Sequence, residues 1–377
     1  MLYSLIVDKA FCQKFREKLG DENIFDRKRK LLLRDGFAEL PIVSRPDELL
    51  DKDLKSICSF EIKSDKGPEI ITQTNMKERL LQEIENTIDF SLDANVVKEI
   101  PESWEFYDDL LLIPGHSFAD HRWKPLLPQL LQILCKVYNV RRVAKKHLVV
   151  NDKFRSPRTE LLLGSNPWVW RKENGITYHF DVTKSMFCAG NISEKLRVSK
   201  FDCFGEVVVD LFAGIGYFTL PYLFHAKADY MYACEWNPNS VIALKHNLEK
   251  HGLTDKCTVL EGDNRLVCPH NVADRVNLGL IPQSDISWKT ACQALKPTGG
   301  VLHIHGNVEI KKGENKREKM DAWARNTGEA IRENLKEVKP TWDWRTEVLH
   351  IECVKSYAPR VFHLVLDLKC KPLEKSS

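Results

Sequence analysis

Short apolar runs alternate with helix-like stretches along the second half of the chain, from about residue 205 to residue 370. The first run is β-branched and continuous, as in a strand buried on both faces of a parallel sheet. One helix should begin at Asn237-Pro238, because Asn is a favoured helix cap and Pro a favoured first helical residue. The alternation predicts a parallel sheet with crossover helices. Its expected strands are Val207–Leu211, Tyr230–Glu235, Cys257–Leu260, Arg275–Leu280 and Val301–His305.

Two more strands are expected near the end of the chain, around Val348–Val354 and Val361–Leu366. The segment between them is too short for a crossover helix, so they should pair as an antiparallel hairpin. A parallel sheet closed by such a hairpin resembles the Rossmann-like sheet of class I S-adenosylmethionine (SAM)-dependent transferases. The predicted fold class is therefore α/β, with smaller α+β domains ahead of this sheet.

The first 200 residues mix strand-like and helix-like patterns. Ile176–Val182 alternates apolar and polar residues, as a half-buried strand does, and Lys77–Ile88 has helical character. We expect three domains from these patterns and the chain length. They are a small α+β domain over residues 1–90, a basic α+β domain over 91–200 and a SAM-binding catalytic domain over 201–377.

Composition excludes several classes of protein. Of 377 residues, 43% are hydrophobic and 29% are charged, which rules out collagen, a disordered chain and a disulfide scaffold. No apolar run approaches the roughly 18 residues of a membrane span, and Met1–Asp8 does not resemble a secretory signal. The eleven cysteines form no Cys-x-x-Cys pair, so we expect reduced thiols and no metal site. The expected location is the cytoplasm.

Positive charge is concentrated between residues 121 and 160, although the whole chain carries only +3. Ten basic and two acidic residues give this window a net charge of +8, which attracts a polyanion such as RNA. A solvated helix face is the alternative interpretation. Trp168, Trp170 and Tyr178 follow closely, and each either stacks on an unpaired base or packs in the core. The candidate RNA-binding residues are Arg141, Arg142, Lys145, Lys146 and Arg155.

The clearest chemical signal is Asp210-Leu211-Phe212-Ala213-Gly214-Ile215-Gly216-Tyr217-Phe218, at the end of the first parallel strand. Two glycines in a strand-to-helix turn let the backbone approach a ligand where a Cβ would collide. A dinucleotide-binding turn needs a third glycine near position 219, where this chain has Thr219. A cofactor without phosphate therefore fits better, with Asp210 accepting bonds from its ammonium group.

Polar residues follow the next two strands at the same edge of the sheet. Glu235 ends the second strand, 25 residues after Asp210, where a carboxylate can accept bonds from both hydroxyls of a ribose. Trp236 offers an apolar face for an adenine, and Asp263 and Asn264 could bind its exocyclic amine. One acid at a strand end is as often a helix cap, but three in register with a glycine turn indicate an adenosine cofactor.

The loop after the fourth strand reads Asn277-Leu278-Gly279-Leu280-Ile281-Pro282-Gln283-Ser284. Enzymes that methylate amino groups carry Asn/Asp-Pro-Pro-aromatic at this position, and C5-pyrimidine methylating enzymes carry a Pro-Cys nucleophile. Neither motif is present, so neither chemistry is favoured. Asn277 is the candidate catalytic residue.

Together these motifs resemble the eukaryotic tRNA wybutosine-synthesising aminocarboxypropyltransferases, close relatives of the tRNA guanine-37 N1-methyltransferases. The resemblance covers roughly residues 95–370. Its segments are Arg142–Ala144, Phe154–Pro157, Leu161–Trp170, Glu173–Ile176, Asp181–Leu196, Asp210–Phe218, Glu235–Pro238, Gly262–Asn264, Asn277–Ser284, His303–Asn307 and Val354–Pro359.

The resemblance implies a reaction. The 3-amino-3-carboxypropyl group of SAM, and not the methyl group, moves to carbon 7 of 4-demethylwyosine at position 37 of tRNA-Phe, and 5′-methylthioadenosine is released. The implied partner is the anticodon loop of that tRNA, and we expect a monomer. A sulfonium has three carbons open to displacement, and the one in line with the nucleophile at about 3–3.5 Å reacts. The pose of the methionine arm should therefore decide the product.

Two segments would set that pose. Methyl-transferring relatives carry an arginine before the first strand and Leu-Pro after the Asn of strand four, whereas this chain reads Ser185–Asn191 and Asn277–Leu280. In the family the first segment and Lys195 lie against the cofactor, so Lys195 could pair with the cofactor carboxylate; a surface lysine is the alternative. The candidate SAM-binding residues are Cys188, Lys195, Asp210, Phe212, Gly214, Gly216, Glu235, Trp236, Asp263, Asn264 and Asn277.

Two other functions stay open. An N1-methyltransferase for the same tRNA position would release S-adenosylhomocysteine instead of methylthioadenosine. A tRNA-binding scaffold with a vestigial pocket would have a broken ligand set, whereas the acids and glycines of the turn are all present. His303 and His305 share one face of their strand, so both approach the pocket or neither does.

Overall fold

A computed structural model describes residues 2–8, 11–22, 24–26, 32–33, 37–65, 76–88, 94–101, 103–147 and 157–374. The chain divides into two compact units, Met1–Thr87 and Ile88–Ser377. Within the described ranges, no helix combines the length and the apolar character that crossing a membrane requires. The division into three domains at residues 90 and 200 stays a prediction.

The first unit contains β1 Leu2–Asp8, α1 Cys12–Asp21, β2 Leu32–Leu33, β3 Phe37–Ile42, α2 Glu48–Ile57, β4 Phe60–Asp65 and α3 Met76–Thr87. Its four strands form an antiparallel sheet with the order β2-β3-β1-β4. Alternate strand residues such as Leu5, Val7 and Leu40 are buried together with Phe15 of α1 and Leu54 of α2. The helix expected over residues 77–88 is confirmed by α3.

The second unit begins with α4 Ala94–Lys98, β5 Glu105–Tyr107, β6 Leu110–Pro114, α5 Leu127–Tyr138, β7 Arg142–Lys146, β8 Thr159–Leu163, β9 Trp168–Glu173 and β10 Ile176–Asp181. The sheet β5-β6-β7-β8 has one parallel pair, β6 with β7. The hairpin β9–β10 turns at Asn174 and Gly175, both at positive φ, as a type I′ turn requires. The strand expected over residues 176–182 is confirmed by β10.

The remaining elements are α6 Ile192–Val198, β11 Val207–Asp210, α7 Thr219–Phe224, β12 Tyr230–Glu235, α8 Pro238–Lys250, β13 Cys257–Glu261, α9 Asn264–Val267, β14 Arg275–Leu278, α10 Trp288–Ala294, β15 Gly300–Glu309, α11 Lys316–Val338, β16 Asp343–Ala358 and β17 Val361–Leu373. Their strands form a seven-stranded sheet with the order β13-β12-β11-β14-β15-β17-β16. Strands β11 to β15 are parallel, and β17 is antiparallel to both β15 and β16, so the predicted α/β class and closing hairpin are confirmed.

Strand lengths differ from the prediction at the closing hairpin. Strand β15 continues four residues beyond His305, and β16 begins five residues before Val348. The reason is the ladder: β15 pairs with β17 without interruption from Gly300 opposite Cys370 to Glu309 opposite Val361. Pairing with the long strand β17 thus extends β15 and β16 beyond the apolar runs from which they were predicted. Strand β14, in contrast, ends two residues early, at Leu278.

Apolar cores cover both faces of the large sheet. Val208 and Val209 are successive residues of β11, so they point to opposite faces, and each belongs to a separate buried cluster. The cluster around Val208 also contains Leu110 of β6 and Tyr178 of β10. The small sheet and the β9–β10 hairpin therefore pack on the same core as β11 and are held beside the end of that strand.

Candidate cofactor site

The order of the parallel strands reverses between β11 and β14, which are neighbours in the sheet. In open α/β sheets, ligands bind in the crevice beyond the carboxyl ends of the strands at such a switch point. Asp210 is the last residue of β11 and is in register with Asn277 of β14. Both side chains are buried, at 0% and 1% exposure.

Asp210 joins the elements around this point. Its carboxylate accepts hydrogen bonds from the Thr219 hydroxyl at 2.9 Å, the Asn277 amide at 3.0 Å and the Phe212 backbone N–H at 3.3 Å. Burial raises the pKa of the Asp210 carboxyl, and the bonds from Asn277 and Thr219 counteract that shift. Asp210 therefore holds the glycine turn against β14 and places an acceptor group at the switch point.

The turn after β11 needs its glycines. Gly214 and Gly216 have φ values of +56° and +103°, which L side chains rarely adopt. A Cβ on Gly214 would lie 2.7 Å from the Tyr217 ring, and one on Gly216 would lie 3.0 Å from the Leu220 side chain. The positive φ values and the tight packing therefore require glycine at both positions of the turn.

Glu235 lies at the end of β12 and binds the same turn. One carboxylate oxygen accepts from the Gly214 N–H and the other from the Asn237 N–H, each at 2.7 Å. Burial raises the pKa of the Glu235 carboxyl, opposed by these backbone bonds. Each oxygen keeps acceptor capacity for one more donor, so the group can still bind two hydroxyls.

The three residues predicted to surround an adenine differ in their availability. Trp236 is 43% exposed next to Glu235. Asp263 caps α9, and its hydrogen bonds with the Arg265 side chain lower the pKa of Asp263. The Asn264 amide is buried: it donates to the Leu211 carbonyl at 2.9 Å and accepts from a serine hydroxyl. The Asn264 side chain is thus committed to the protein, and the adenine contacts stay a prediction.

The segment over residues 185–191 and Lys195 lie beside the glycine turn, because the Tyr217 hydroxyl donates to the Met186 carbonyl. The Lys195 ammonium forms an ion pair with Glu173 and also lies 3.4 Å from the Cys188 carbonyl. At 2% exposure it is not a surface lysine, so that alternative is wrong. Pairing of Lys195 with a cofactor carboxylate stays a prediction.

Four of the five predicted RNA-binding residues, Arg141, Arg142, Lys145 and Lys146, lie on or just before β7. The Arg142 guanidinium binds Asp109 and two backbone carbonyls, whereas Arg141 also binds Asp109 but has a side-chain exposure of 84%. Lys146 pairs with Glu105 at 2.9 Å, and burial lowers the pKa of the Lys145 ammonium. Acids outside the basic window therefore neutralise part of its charge. Arg155 lies outside the described residues.

The aromatic residues after the window also separate in the structure. Tyr178 is buried at 1% exposure, so core packing applies to it, while Trp170 is 40% exposed. Trp168 and Trp170 line a cavity of about 410 Å³ together with Arg141 and His179. Only the two tryptophans remain candidates for stacking on a base.

His303 and His305 are both buried at 1% exposure and bind protein groups instead of facing solvent. His303 Nδ1 lies 2.6 Å from an Asp367 oxygen, and His305 Nδ1 lies 3.0 Å from Nε2 of His363. Among the described residues, no group of three or more His, Cys, Asp or Glu could hold a metal ion.

Two residues of the site were not found from the sequence. In the sequence Thr219 marks only the absence of a third glycine, yet its hydroxyl binds Asp210. Glu173 lies 22 residues from Lys195 on the β9–β10 hairpin, and no local pattern marks the pair. An ion pair between residues so far apart in sequence forms only when the hairpin packs against α6, so the sequence alone does not predict it.

The order of the seven strands, the glycine turn at the switch point and the carboxylates beyond β11 and β12 define a class I SAM-dependent transferase. Comparison with known families agrees. A model described as the TRM5/TYW2 methyltransferase domain matches residues 169–331, and the TYW2 N-terminal domain matches residues 84–167. The tRNA wybutosine-synthesizing protein 2 homolog of Rattus norvegicus is 38% identical, over 99% of this chain and 97% of that protein. The chain belongs to the tRNA wybutosine-synthesizing protein 2 family.

Solved structures with the same fold include complexes with ligands. P. horikoshii TYW2 in complex with MeSAdo is 28% identical, with a TM-score of 0.59, over 78% of this chain and 99% of that one. M. jannaschii TYW2 in complex with AdoMet is 25% identical, with a TM-score of 0.51, over 72% of this chain and 100% of that one. A complex of aTrm5 and tRNALeu is 26% identical, with a TM-score of 0.54, over 97% and 99% of the chains.

Proposed function

We propose that this protein transfers the 3-amino-3-carboxypropyl group of SAM to carbon 7 of 4-demethylwyosine at position 37 of tRNA-Phe. The observation that carries the proposal is the set of polar groups around the β11 turn, in a chain that aligns with 97% of the length of a relative in this family. The second product is 5′-methylthioadenosine, and the bound MeSAdo of the P. horikoshii relative is consistent with that product.

SAM fits the residues present. Both oxygens of Glu235 can accept ribose hydroxyls while they keep their backbone partners, and the buried Asp210 carboxyl accepts from the ammonium group, directly or through water. The glycine turn, with Phe212 and the residues after β12 and β13, surrounds the adenosine. The Asn277 amide donates to the Asp210 carboxylate, so the role of Asn277 in this site is to orient Asp210.

The bound sulfonium supplies an electrophilic carbon with a neutral thioether as leaving group. Carbon 7 of the base forms the new carbon–carbon bond, the carbon–sulfur bond breaks with its electron pair on sulfur, and the proton of carbon 7 passes to water. The protein contributes position above all, because alignment of the reacting atoms at about 3–3.5 Å supplies much of the rate. Asp210 and Asn277 are buried and hydrogen-bonded to each other, so the protein itself holds this end of the site in place.

The substrate is a tRNA, and the part that enters the site is the anticodon loop. Arg141 and the exposed Trp170, which line one cavity, provide a cationic group and a stacking group for it. In this role the protein works as a monomer in the cytoplasm.

Product analysis tests the proposal. The purified protein is incubated with SAM and tRNA-Phe carrying 4-demethylwyosine, and the nucleoside at position 37 and the small products are identified by mass spectrometry. The expected result is an aminocarboxypropylated base with an equal amount of methylthioadenosine. A parallel reaction uses tRNA-Phe with unmodified guanosine at position 37, because N1 of that guanine is already part of the third ring in 4-demethylwyosine. S-adenosylhomocysteine with a methylated guanosine in this second reaction would assign the related N1-methyltransferase activity instead, and tRNA binding without product in either reaction would leave a scaffold.

A further inference from the structure

One face of the β9–β10 hairpin carries aromatic rings that the core leaves partly exposed. Successive strand residues point to opposite faces, so Val169 and Tyr178 enter the core while Trp170 points to the other side. His179 is directly opposite Trp170 in the strand register, and Trp168 lies two residues before Trp170 on the same face. Exposed aromatic rings beside cations are typical of surfaces that bind unpaired bases.

These rings line a cavity of about 410 Å³. Pockets of roughly 300–1,000 Å³ hold small molecules, and a single nucleobase is a ligand of that class. Arg142 fixes one wall of the cavity, because its guanidinium binds the Asp109 carboxylate and donates to two backbone carbonyls at 2.6 and 2.7 Å. A wall held in this way is preorganised for a ligand.

Two charged groups at the cavity keep free hydrogen-bonding atoms. Asp108 lies in the two-residue turn between β5 and β6 at φ +52°, a backbone position that glycine or asparagine would also satisfy. Its carboxylate lies 3.8 Å from Arg142 Nη2 and makes no hydrogen bond to a described residue. Arg141 binds Asp109 through Nε, at 2.7 Å, and both of its terminal nitrogens are free within the part of the chain that the structure describes. The fold itself therefore leaves a carboxylate acceptor and a guanidinium donor unused.

A carboxylate and a guanidinium at one cavity match guanine among the four bases. Guanine presents two adjacent donors, N1–H and the exocyclic amine, which a carboxylate can accept together, and its O6 and N7 accept from a guanidinium. Adenine and cytosine have a ring-nitrogen lone pair next to their amine, and uracil has a carbonyl on each side of its N–H. A carboxylate has no proton to offer these acceptors, so it disfavours the three other bases.

We propose that this cavity binds an unpaired guanine of the substrate RNA, distinct from the base that is modified. Asp108 selects the base, Arg141 donates to its O6 and N7, and Trp170 stacks on its ring. The inference rests on the proposed function and names one base that the tRNA presents outside the cofactor site. Helix α8, which follows β12, connects the two places, because the Trp168 ring lies 5.2 Å from the ring of His246 in α8.

Three variants separate the parts of this site. Asp108→Asn keeps the turn, because asparagine also tolerates positive φ, but it replaces one acceptor by a donor. Trp170→Ala removes the stacking ring, and Trp170→Phe restores a ring. The matched control is Asp229→Asn, since Asp229 is exposed and lies before β12, at the edge of the sheet opposite the cofactor site. Melting temperature and the Kd for SAM should be unchanged in all four proteins.

Fluorescence anisotropy measures the binding of labelled RNA pentamers UUGUU, UUAUU, UUCUU and UUUUU, with GMP as a competitor. We expect the wild type to bind UUGUU roughly tenfold more tightly than the other three pentamers. Asp108→Asn should reduce this preference to less than about threefold. Trp170→Ala should weaken the binding of all four pentamers by about tenfold, because stacking does not depend on the base, and Trp170→Phe should weaken it less. Asp229→Asn should match the wild type.

Three results would overturn the inference. The first is equal affinity of the wild type for the four pentamers, or no binding of any of them. The second is an unchanged guanine preference in folded Asp108→Asn. The third is competition by GMP at the same concentration as unlabelled UUGUU, which would assign the cavity to a free guanine nucleotide instead of RNA. Failure of the wild type to form methylthioadenosine would instead contradict the proposed function and leave the base preference standing.

Discussion

Replacing Glu235 by Ala should remove most of the affinity for SAM and leave tRNA binding intact. In the proposed site this carboxylate accepts both ribose hydroxyls, and hydrogen bonds to a charged group contribute about 1.5–3 kcal/mol each. Two such bonds amount to about 3–6 kcal/mol, or roughly a 10²- to 10⁴-fold increase in Kd. The substitution also unpairs the N–H groups of Gly214 and Asn237, which lie 2.7 Å from the carboxylate.

The same side chain predicts a pH dependence. Burial raises the pKa of the Glu235 carboxyl, so protonation begins at a higher pH than for an ordinary glutamate. The protonated group loses acceptor capacity, and SAM should bind more weakly as the pH falls through this raised pKa. Glu235→Gln should bind weakly at every pH and show a flatter profile, because its amide places a donor opposite a backbone N–H.

Isothermal titration calorimetry with SAM and filter binding with tRNA measure the two affinities. Glu249→Ala is the matched control, because Glu249 is an exposed glutamate near the end of α8. Melting curves establish that each variant is folded. Equal loss of SAM and tRNA binding, or an unchanged Kd for SAM in folded Glu235→Ala, would refute the assignment of this carboxylate to the ribose.

Three further predictions concern the turn, the basic strand and a buried histidine. Gly216→Ala adds a Cβ 3.0 Å from Leu220 at φ +103°, whereas the Cβ of Gly205→Ala, at φ +75°, meets nothing within 4 Å. Chemical denaturation should show that the free energy of unfolding falls by about 1–3 kcal/mol, and by more for Gly216→Ala; equal losses would contradict the packing argument. Arg141→Glu should weaken tRNA binding and lower the slope of log K against log salt concentration by about 1 in a filter-binding titration, and an unchanged slope would remove Arg141 from the interface. Arg142→Glu should instead lower the melting temperature, because the Arg142 guanidinium binds backbone carbonyls of the protein. Burial lowers the pKa of His363 to about 4 from its ordinary 6.5, so as the pH falls through this range the unfolded chain takes up the proton first, and His363 contributes a loss of stability of about 3 kcal/mol. Burial also lowers the pKa of His303 and His305, so in urea unfolding measured against pH, His363→Gln should lose only the His363 contribution, and a variant that keeps the full dependence would contradict it.

Local patterns predicted the large sheet well. The β-branched run at Val207, the cap at Asn237-Pro238 and the glycine turn are all short-range signals, and each acts on the backbone within a few residues. Asp210, Glu235 and Asn277 lie at or next to the carboxyl ends of parallel strands, and such ends meet at one edge of the sheet. The strand assignments alone therefore predict that the three residues lie at that edge.

The hydrogen-bond and ion-pair partners of the side chains could not be predicted from such local patterns. The net charge of +8 includes only residues 121–160, whereas Asp109 and Glu105, which lie outside that window, pair with Arg142 and Lys146. Asn264 lies just after a parallel strand, where a cofactor-binding residue is expected, yet its amide donates to the Leu211 carbonyl inside the protein. A side chain's direction and its ion-pair partner depend on elements distant in sequence.

The order of residues along the chain was enough to determine which strands form, where the backbone must approach a ligand and which carboxylates stand at the edge of the sheet, because strand and turn preferences act over a few neighbours. The tertiary structure alone decided that Lys195 faces Glu173, that Thr219 and Asn277 share Asp210, and that much of the basic window is paired. Those contacts exist only after the hairpin and the small sheet have packed on the common core, when burial makes each polar group take the nearest partner.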